Sequence, residues 1–185
     1  MARTPDQPVS TERGRRRRRE LLEAARAVFE EVGYVDANVS DIVRVSGGSR
    51  ASFYAYFSSI DDVLEVLVRE LADDLFEAAT LPIEPGPSPF DSLESTIRQF
   101  MHAYRDRRGL LGVFHQAMLT NDAFREIRLE IRSRFADSIA ATFADRSDWR
   151  DGDGLDSKMT AVAIRGMVED VATGLYLLGQ DLDEE

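Results

Sequence analysis

The sequence predicts an all-α protein of two helical domains, and three observations predict it. Apolar residues recur at three- and four-residue steps through its long segments. No segment shows convincing strand periodicity, and no internal repeat is visible. All six prolines fall outside the predicted helix interiors, where proline would remove a backbone donor and clash with the preceding turn.

The elements follow in order. Residues 1–13, with Pro5, Pro8 and few apolar groups, are expected to form a disordered arm. A first helix is expected near 14–32. Leu21, Ala25, Val28, Phe29 and Val32 fall on one face of it, and Gly33 ends it. Residues 14–59 form the first domain. A linking helix over 60–79 follows, with Ile60, Leu64, Leu67, Val68, Leu71 and Leu75 on one face. Residues 80–185 form the second domain. It opens on a proline-rich linker, and Ser88 as cap with Pro89 at the first helical position starts the next helix. That helix carries Phe90, Leu93, Ile97, Phe100, Met101 and Tyr104 on one face. A short apolar helix near 109–119 comes next. A long helix near 122–144 places Phe124, Ile127, Ile131, Phe135, Ile139 and Phe143 in register, and a last helix is expected near 155–179.

The most informative stretch is residues 38–57, NVSDIVRVSGGSRASFYAYF. Asn38 suits an N-cap, and Asp41 places a carboxylate in the first turn. Val39, Ile42 and Val43 give a short helix its apolar face. Ser46-Gly47-Gly48 breaks it, because glycine reaches positive φ at little steric cost. Ser49 can cap a second short helix, which Phe53 and Phe57 anchor four residues apart. Arg50, Ala51, Ser52, Ala55 and Tyr56 then fall wholly or partly outward, with Tyr54 at the boundary. This is a helix-turn-helix pattern, which can lay its second helix in a DNA major groove. Arg50 suits guanine edges, the alanines allow close approach or contact with a thymine methyl, and the hydroxyls suit phosphate oxygens. On these residues alone, a helical hairpin with a solvated face fits equally well.

The surrounding residues separate the two readings. From Gly33-Tyr34 through SRASFYAYFSSIDDVL the chain resembles the TetR family of bacterial transcriptional regulators, over roughly residues 15–68. The shared features are the Gly-aromatic pair closing the first helix, Asp41-Ile42 in the second, the Gly47-Gly48-Ser49 turn, and Phe53-Tyr54-Ala55-Tyr56-Phe57 closing the reading unit. Two departures bear on affinity. Ile60 stands where the family usually has a phosphate-binding lysine. Gly48 stands where valine is commoner, which is expected to remove a packing contact and loosen the hairpin.

Net charge is −11, unusual for a nucleic-acid binder, but the charge is unevenly placed. Residues 1–57 hold ten arginines against eight acids, so the acidity lies beyond the reading head, and local field outweighs net charge there. Arg15, Arg16, Arg17, Arg18 and Arg19 form an unbroken run beside the first helix. It is expected to lie along phosphates or reach the minor groove, rather than to stabilise a helix start whose dipole disfavours cations. With Asn38, Ser49, Arg50, Ala51, Ser52, Tyr54, Ala55 and Tyr56, these arginines make up the expected DNA-binding set.

The resemblance implies that the second domain binds a small effector and forms a homodimer through its last two long helices. Ala161, Ala163, Gly166, Ala172 and Gly174 on the last helix would permit close approach, in the partner or within the subunit. Phe76, Phe100, Met101, Tyr104, Phe114, His115, Met118, Phe135, Met159 and Met167 form the candidate effector pocket. They are large adaptable apolar groups that suit an aromatic or apolar ligand as a set and plain core packing one by one. Arg165 and Glu169, one turn apart, read as an ion pair or as the orienter of a polar ligand head.

Other function classes lack their signatures. The chain has no cysteine, and His102 and His115 are too far apart for a two-histidine helical metal motif. The Asp-rich DWRDGDGLD lacks calcium-loop spacing. No run of about 20 apolar residues and no apolar leader occurs, so a cytoplasmic location is expected. The sequence thus predicts a non-enzymatic, cofactor-free regulator, most simply a repressor that binds a pseudo-palindromic operator and is released by an effector. The alternative is a regulator whose second domain only dimerises or docks a protein.

Overall fold

The structure, a computed structural model, describes residues 11–80, 89–144 and 157–180. Among the described residues there are eight helices and no strand: α1 (Glu12–Asp36), α2 (Val39–Val45), α3 (Arg50–Tyr54), α4 (Ile60–Thr80), α5 (Pro89–Asp106), α6 (Arg108–Thr120), α7 (Asp122–Ala144) and α8 (Ser157–Leu177). No helix among them is long and apolar enough to cross a membrane. The expected arm over 1–10, the linker 81–88 and the Asp-rich connection lie outside the described residues.

The chain divides into two compact units. The first contains α1–α3, α4 as far as Leu71, and Gly109–Asn121 of α6; the second contains Ala72–Arg108 and the chain from Asp122. Two candidate linings of the second domain, Phe114 and Met118, and His115 beside them, therefore belong to the first unit.

In the first unit, Leu21, Ala25, Phe29, Ile42, Phe53, Phe57, Val63 and Leu64 are almost fully buried and form the core. Val32, expected on that face, is exposed instead. Helix α1 starts earlier than expected. Thr11 caps it by accepting from the Gly14 N–H at 3.2 Å, so Glu12 and Arg13 are helical rather than part of an arm. Glu12 occupies the first turn and most of the arginine run lies beyond it, which eases the expected conflict with the helix dipole although Arg13 and Arg15 still stand in that turn. At Gly33 the helix breaks with φ 80°, and Tyr34–Asp36 form a further turn. The break is fixed from outside: Gln116 Oε1 accepts from the Tyr34 N–H at 3.0 Å. A Cβ at Gly33 would lie 2.6 Å from that oxygen, so glycine is required both for its φ and for the close approach.

The second unit is built on α7 against α8, with α5 also on α8. Phe76, Phe135, Phe100, Tyr104 and Tyr176 follow one another in ring contact at centroid distances of 5.3–6.4 Å. Arg134 stacks on Phe76 and pairs with Asp73, and Arg107 pairs with Asp74 at 2.9 Å. Leu93, expected on the apolar face of α5, is exposed.

Candidate nucleic-acid interface

The hairpin is stopped and started by side-chain and backbone caps. Asn38 Oδ1 accepts from the N–H groups of Ser40 and Asp41 at 3.0 and 3.2 Å, and its amide donates to Asp41 at 2.6 Å. Helix α2 ends at Gly47 with φ 62°. There the Gly48 N–H donates to Val43 O at 2.9 Å and the Gly47 N–H to Arg44 O at 3.3 Å, a Schellman closure. Ser49 Oγ accepts from the Ser52 N–H at 3.1 Å and caps α3. Asn38 and Ser49, both in the expected DNA-binding set, are thus occupied as caps.

Helix α3 buries Phe53, with Phe57 beside it at 5.8 Å, and leaves Arg50, Ala51, Tyr54 and Ala55 exposed. Tyr56 is half-buried. Arg50 donates to Ser40 Oγ at 3.1 Å, an exposed contact that spans α2 and α3. Ser52 is half-buried, and its hydroxyl already accepts from Arg17.

Five consecutive helical residues fan through more than a full turn, so the arginine run cannot face one surface. Arg17 turns inward. Its guanidinium donates to Ser46 O at 3.0 Å, to Ser46 Oγ at 3.4 Å, to Ser52 Oγ at 3.3 Å and to Glu20 at 2.8 Å. It therefore ties α1 to the turn and to the first turn of α3. Arg18 lies over the Phe57 ring, 5.3 Å from its centroid. Arg15, Arg16 and Arg19 remain exposed, Arg16 alongside Glu20 at 3.6 Å. Arg17 and Arg18 thus make contacts within the subunit that the expectation of a purely DNA-serving run did not include. The expected loosening at Gly48 is corrected too: a Cβ there would come within 1.8 Å of Arg17 Nη2, so the guanidinium fills the space a larger residue would take.

At the start of α4, where the missing lysine would sit, two carboxylates occupy the first turn. Ser59 Oγ accepts from the Asp62 N–H at 3.1 Å, and Asp62 in return accepts from the Ser58 N–H at 2.8 Å, a reciprocal cap. Asp61 accepts from the Tyr34 hydroxyl at 2.8 Å and from Asn121 at 3.3 Å. Burial raises the Tyr34 pKa above its ordinary value; the Asn121 hydrogen bond opposes this and Asp61 reinforces it.

The candidate effector residues separate into groups. Phe76, Phe100, Tyr104 and Phe135 adjoin one another in the second unit. Tyr104 is buried, and its hydroxyl shares a hydrogen bond with Thr173 Oγ1 at 2.9 Å. Met101 is half-buried. Met159 and Met167 are 60% and 62% exposed, so they do not line the interior of this subunit. In the first unit, Phe114 is buried and Met118 half-buried, and His115 Nδ1 meets Leu111 O one turn back at 3.0 Å. Of the small residues on α8, Ala161, Ala172 and Gly174 are buried within the subunit, whereas Ala163 is exposed.

Sequence reasoning missed Arg128 and Arg132. Both converge on Glu169, which was read only as a partner of Arg165.

The family model described as bacterial regulatory proteins, tetR family, matches residues 21–67. An uncharacterized HTH-type transcriptional regulator of Bacillus subtilis, YfiR, is 35% identical over 66 residues, which is 36% of this chain and 32% of that protein. The HTH-type transcriptional repressor KstR2 of Mycolicibacterium smegmatis is 28% identical over 111 residues, 60% of this chain and 51% of that one. The chain thus spans a third to a half of the length of these relatives. A TetR-family regulator of Syntrophomonas wolfei shares the fold at a TM-score of 0.74 and 16% identity, over 89% of this chain and 86% of that one. The matched segment coincides with the helix-turn-helix unit and its core, and over that segment the chain is similar to the TetR family of bacterial regulatory proteins.

Proposed function

We propose that the protein is a DNA-binding transcriptional regulator, a repressor that reads a pseudo-palindromic operator as a homodimer and is released by a small effector held in its second unit. One observation carries the DNA-binding reading. The exposed surface of α3 presents Arg50, Ala51, Tyr54 and Ala55 on a hairpin fixed by two side-chain caps, a Schellman turn and the Arg17 clamp. A surface that must meet base edges gains from such pre-organisation. Exposed Arg13, Arg15, Arg16 and Arg19 on α1 supply the phosphate-seeking charge. Repression is the sense carried by the name of the KstR2 relative.

Dimerisation is supported by α8, on which Met159, Val162, Met167 and Val171 are exposed apolar residues spread over about half of its circumference. Gly166 lies between Val162 and Met159 on that surface, where a Cβ would meet nothing in the subunit. Release would act through the corner that α6 holds, because Gln116 and Asn121 grip Tyr34 and Asp61 at the ends of α1 and α4. An effector must bind the released state more tightly than the operator-bound state to shift the balance.

The test is selection of bound duplexes from a random pool at moderate salt. Enrichment of a two-fold palindrome supports the reading. Binding that is salt-sensitive but without sequence preference refutes operator recognition.

A further inference from the structure

Helix α2 holds the first side chain of α3. Arg50 Nη1 donates to Ser40 Oγ at 3.1 Å, and both residues are exposed. Both ends of this bridge stand on fixed backbone. The Ser40 N–H donates to the cap oxygen of Asn38 at 3.0 Å, while the Ser40 hydroxyl takes no part in that cap. Arg50 opens α3 directly after Ser49, whose hydroxyl accepts from the Ser52 N–H at 3.1 Å. The carboxylate next in sequence to Ser40 is engaged elsewhere: Asp41 accepts from the Asn38 amide at 2.6 Å and from Arg44 at 3.3 Å. Among the described residues Arg50 is therefore held by a neutral hydroxyl and not by an acid.

The chemistry of that partner matters. Ordering a long exposed side chain on binding costs roughly two- to tenfold in affinity, and a contact already made in the free protein removes part of that cost. A carboxylate would hold the arginine too, but it would offset the charge and compete with a base edge for the same donors. A hydroxyl orients the guanidinium and leaves its charge in place. The point of attachment leaves the recognition edge whole as well. A guanidinium carries five N–H groups in a fixed fork. A bond at Nη1 spends one of them and spares the Nε–Nη2 edge, whose parallel N–H groups match O6 and N7 of guanine.

We propose that Ser40 is a positioning residue for operator recognition: its hydroxyl orders the Arg50 guanidinium before DNA arrives and leaves the Nε–Nη2 edge open to a guanine. The inference rests on the reading of α3 as the base-reading element and adds to it a specificity residue on α2. Ser40 acts through Arg50, so its influence on sequence preference is confined to the base that Arg50 reads.

The test compares Ser40→Val with Ser40→Thr, which match in shape and differ in the hydroxyl, and adds Ser40→Ala as a smaller variant without it. All are made in the full chain. In selection of bound duplexes, the valine and alanine variants should lose about three- to tenfold of discrimination at the base position that Arg50→Ala relaxes. Preference at other positions, the salt slope and the melting temperature should stay as in the parent, and Ser40→Thr should retain full discrimination. In the Arg50→Ala background, Ser40→Val should change nothing further. A merely structural role would instead lower affinity across the whole site. A second readout needs no DNA: NMR relaxation of the Arg50 Nε–H should show a more restricted side chain with serine or threonine at position 40 than with valine or alanine. Equal mobility in all four proteins overturns the proposal. So does a preference that Arg50→Ala relaxes and Ser40→Val leaves unchanged, which keeps base reading by α3 intact. Additive losses in the double variant would make Ser40 a DNA contact in its own right and overturn the positioning role. A preference unchanged even by Arg50→Ala refutes base reading by α3, and the proposal with it.

Discussion

Replacing Arg17 tests whether one member of the arginine run acts as a structural clamp. Arg17→Ala removes donors to Ser46 O at 3.0 Å and Ser52 Oγ at 3.3 Å, together with the pair to Glu20 at 2.8 Å. Each bond from a charged donor contributes about 1 kcal/mol at a site with 21% side-chain exposure, and the pair within one helix adds a few tenths. The loss should be about 2 kcal/mol, or roughly 4–8 °C in melting temperature for a chain of this size. The sharper test is a double-mutant cycle with Gly48→Val. In the parent, a Cβ at position 48 would meet Arg17 Nη2 at 1.8 Å, so valine displaces the guanidinium and forfeits the same bonds. In the Arg17→Ala background that space is vacant and the valine side chain fills it. The two substitutions should therefore couple by about 1–2 kcal/mol in urea unfolding, the double variant being more stable than the sum of the singles predicts. Additivity within about 0.3 kcal/mol would refute the clamp.

Four further outcomes follow from the same geometry. Arg50→Ala should weaken binding to the selected operator by about 1–3 kcal/mol and relax preference at one base position in each half-site; unchanged preference would show that α3 does not read bases. Arg16→Gln with Arg19→Gln should lower affinity for all duplexes and reduce the slope of log affinity against log salt by up to about 2, whereas Arg17→Ala at a temperature where it remains folded should leave that slope nearly unchanged. Gly33→Ala forces a Cβ into positive φ and to 2.6 Å from Gln116 Oε1; it should cost about 1–2 kcal/mol in chemical denaturation, and a neutral result would mean the corner relaxes freely. Val171→Glu places a charge on the exposed apolar side of α8 and should convert dimer to monomer in light scattering without loss of helicity; a dimer that persists would move the interface off this face.

The helices were legible because their apolar spacing is a local signal, and α4, α6 and α7 end within a residue or two of where periodicity placed them. The start of α1 was missed because the capping information lies in Thr11 and Glu12, outside the periodic segment. Within the reading head the exposed residues of α3 were legible, since Phe53 and Phe57 fix which side is buried. The division of labour among the arginines was not. Five identical letters carry no mark of which one turns inward, and the partners of Arg17 lie about 30 residues away. The same applies to Glu169. Its partner one turn away was visible in the sequence, whereas Arg128 and Arg132 join it only because α7 runs along α8. Met159 and Met167 were not legible for a related reason: chemistry recommends methionine for a pocket and for an interface alike, and their exposure in the subunit is not written in the sequence.

The start of α4 bears on how strongly this head should bind. Helix N-termini attract phosphate through unpaired N–H groups and the dipole. Here Ser59 Oγ takes the Asp62 N–H and Asp61 is held by Tyr34 and Asn121, so the first turn is capped by protein groups and negatively charged. The absent lysine at position 60 is thus part of a local arrangement that favours folding of the corner over a phosphate contact. On the proposed reading, backbone attraction would come from the exposed arginines of α1, which lie on a different element from α3, the proposed base reader. General affinity and sequence preference are consequently separable by mutation: neutralising Arg16 and Arg19 acts on the first, and replacing Arg50 acts mainly on the second.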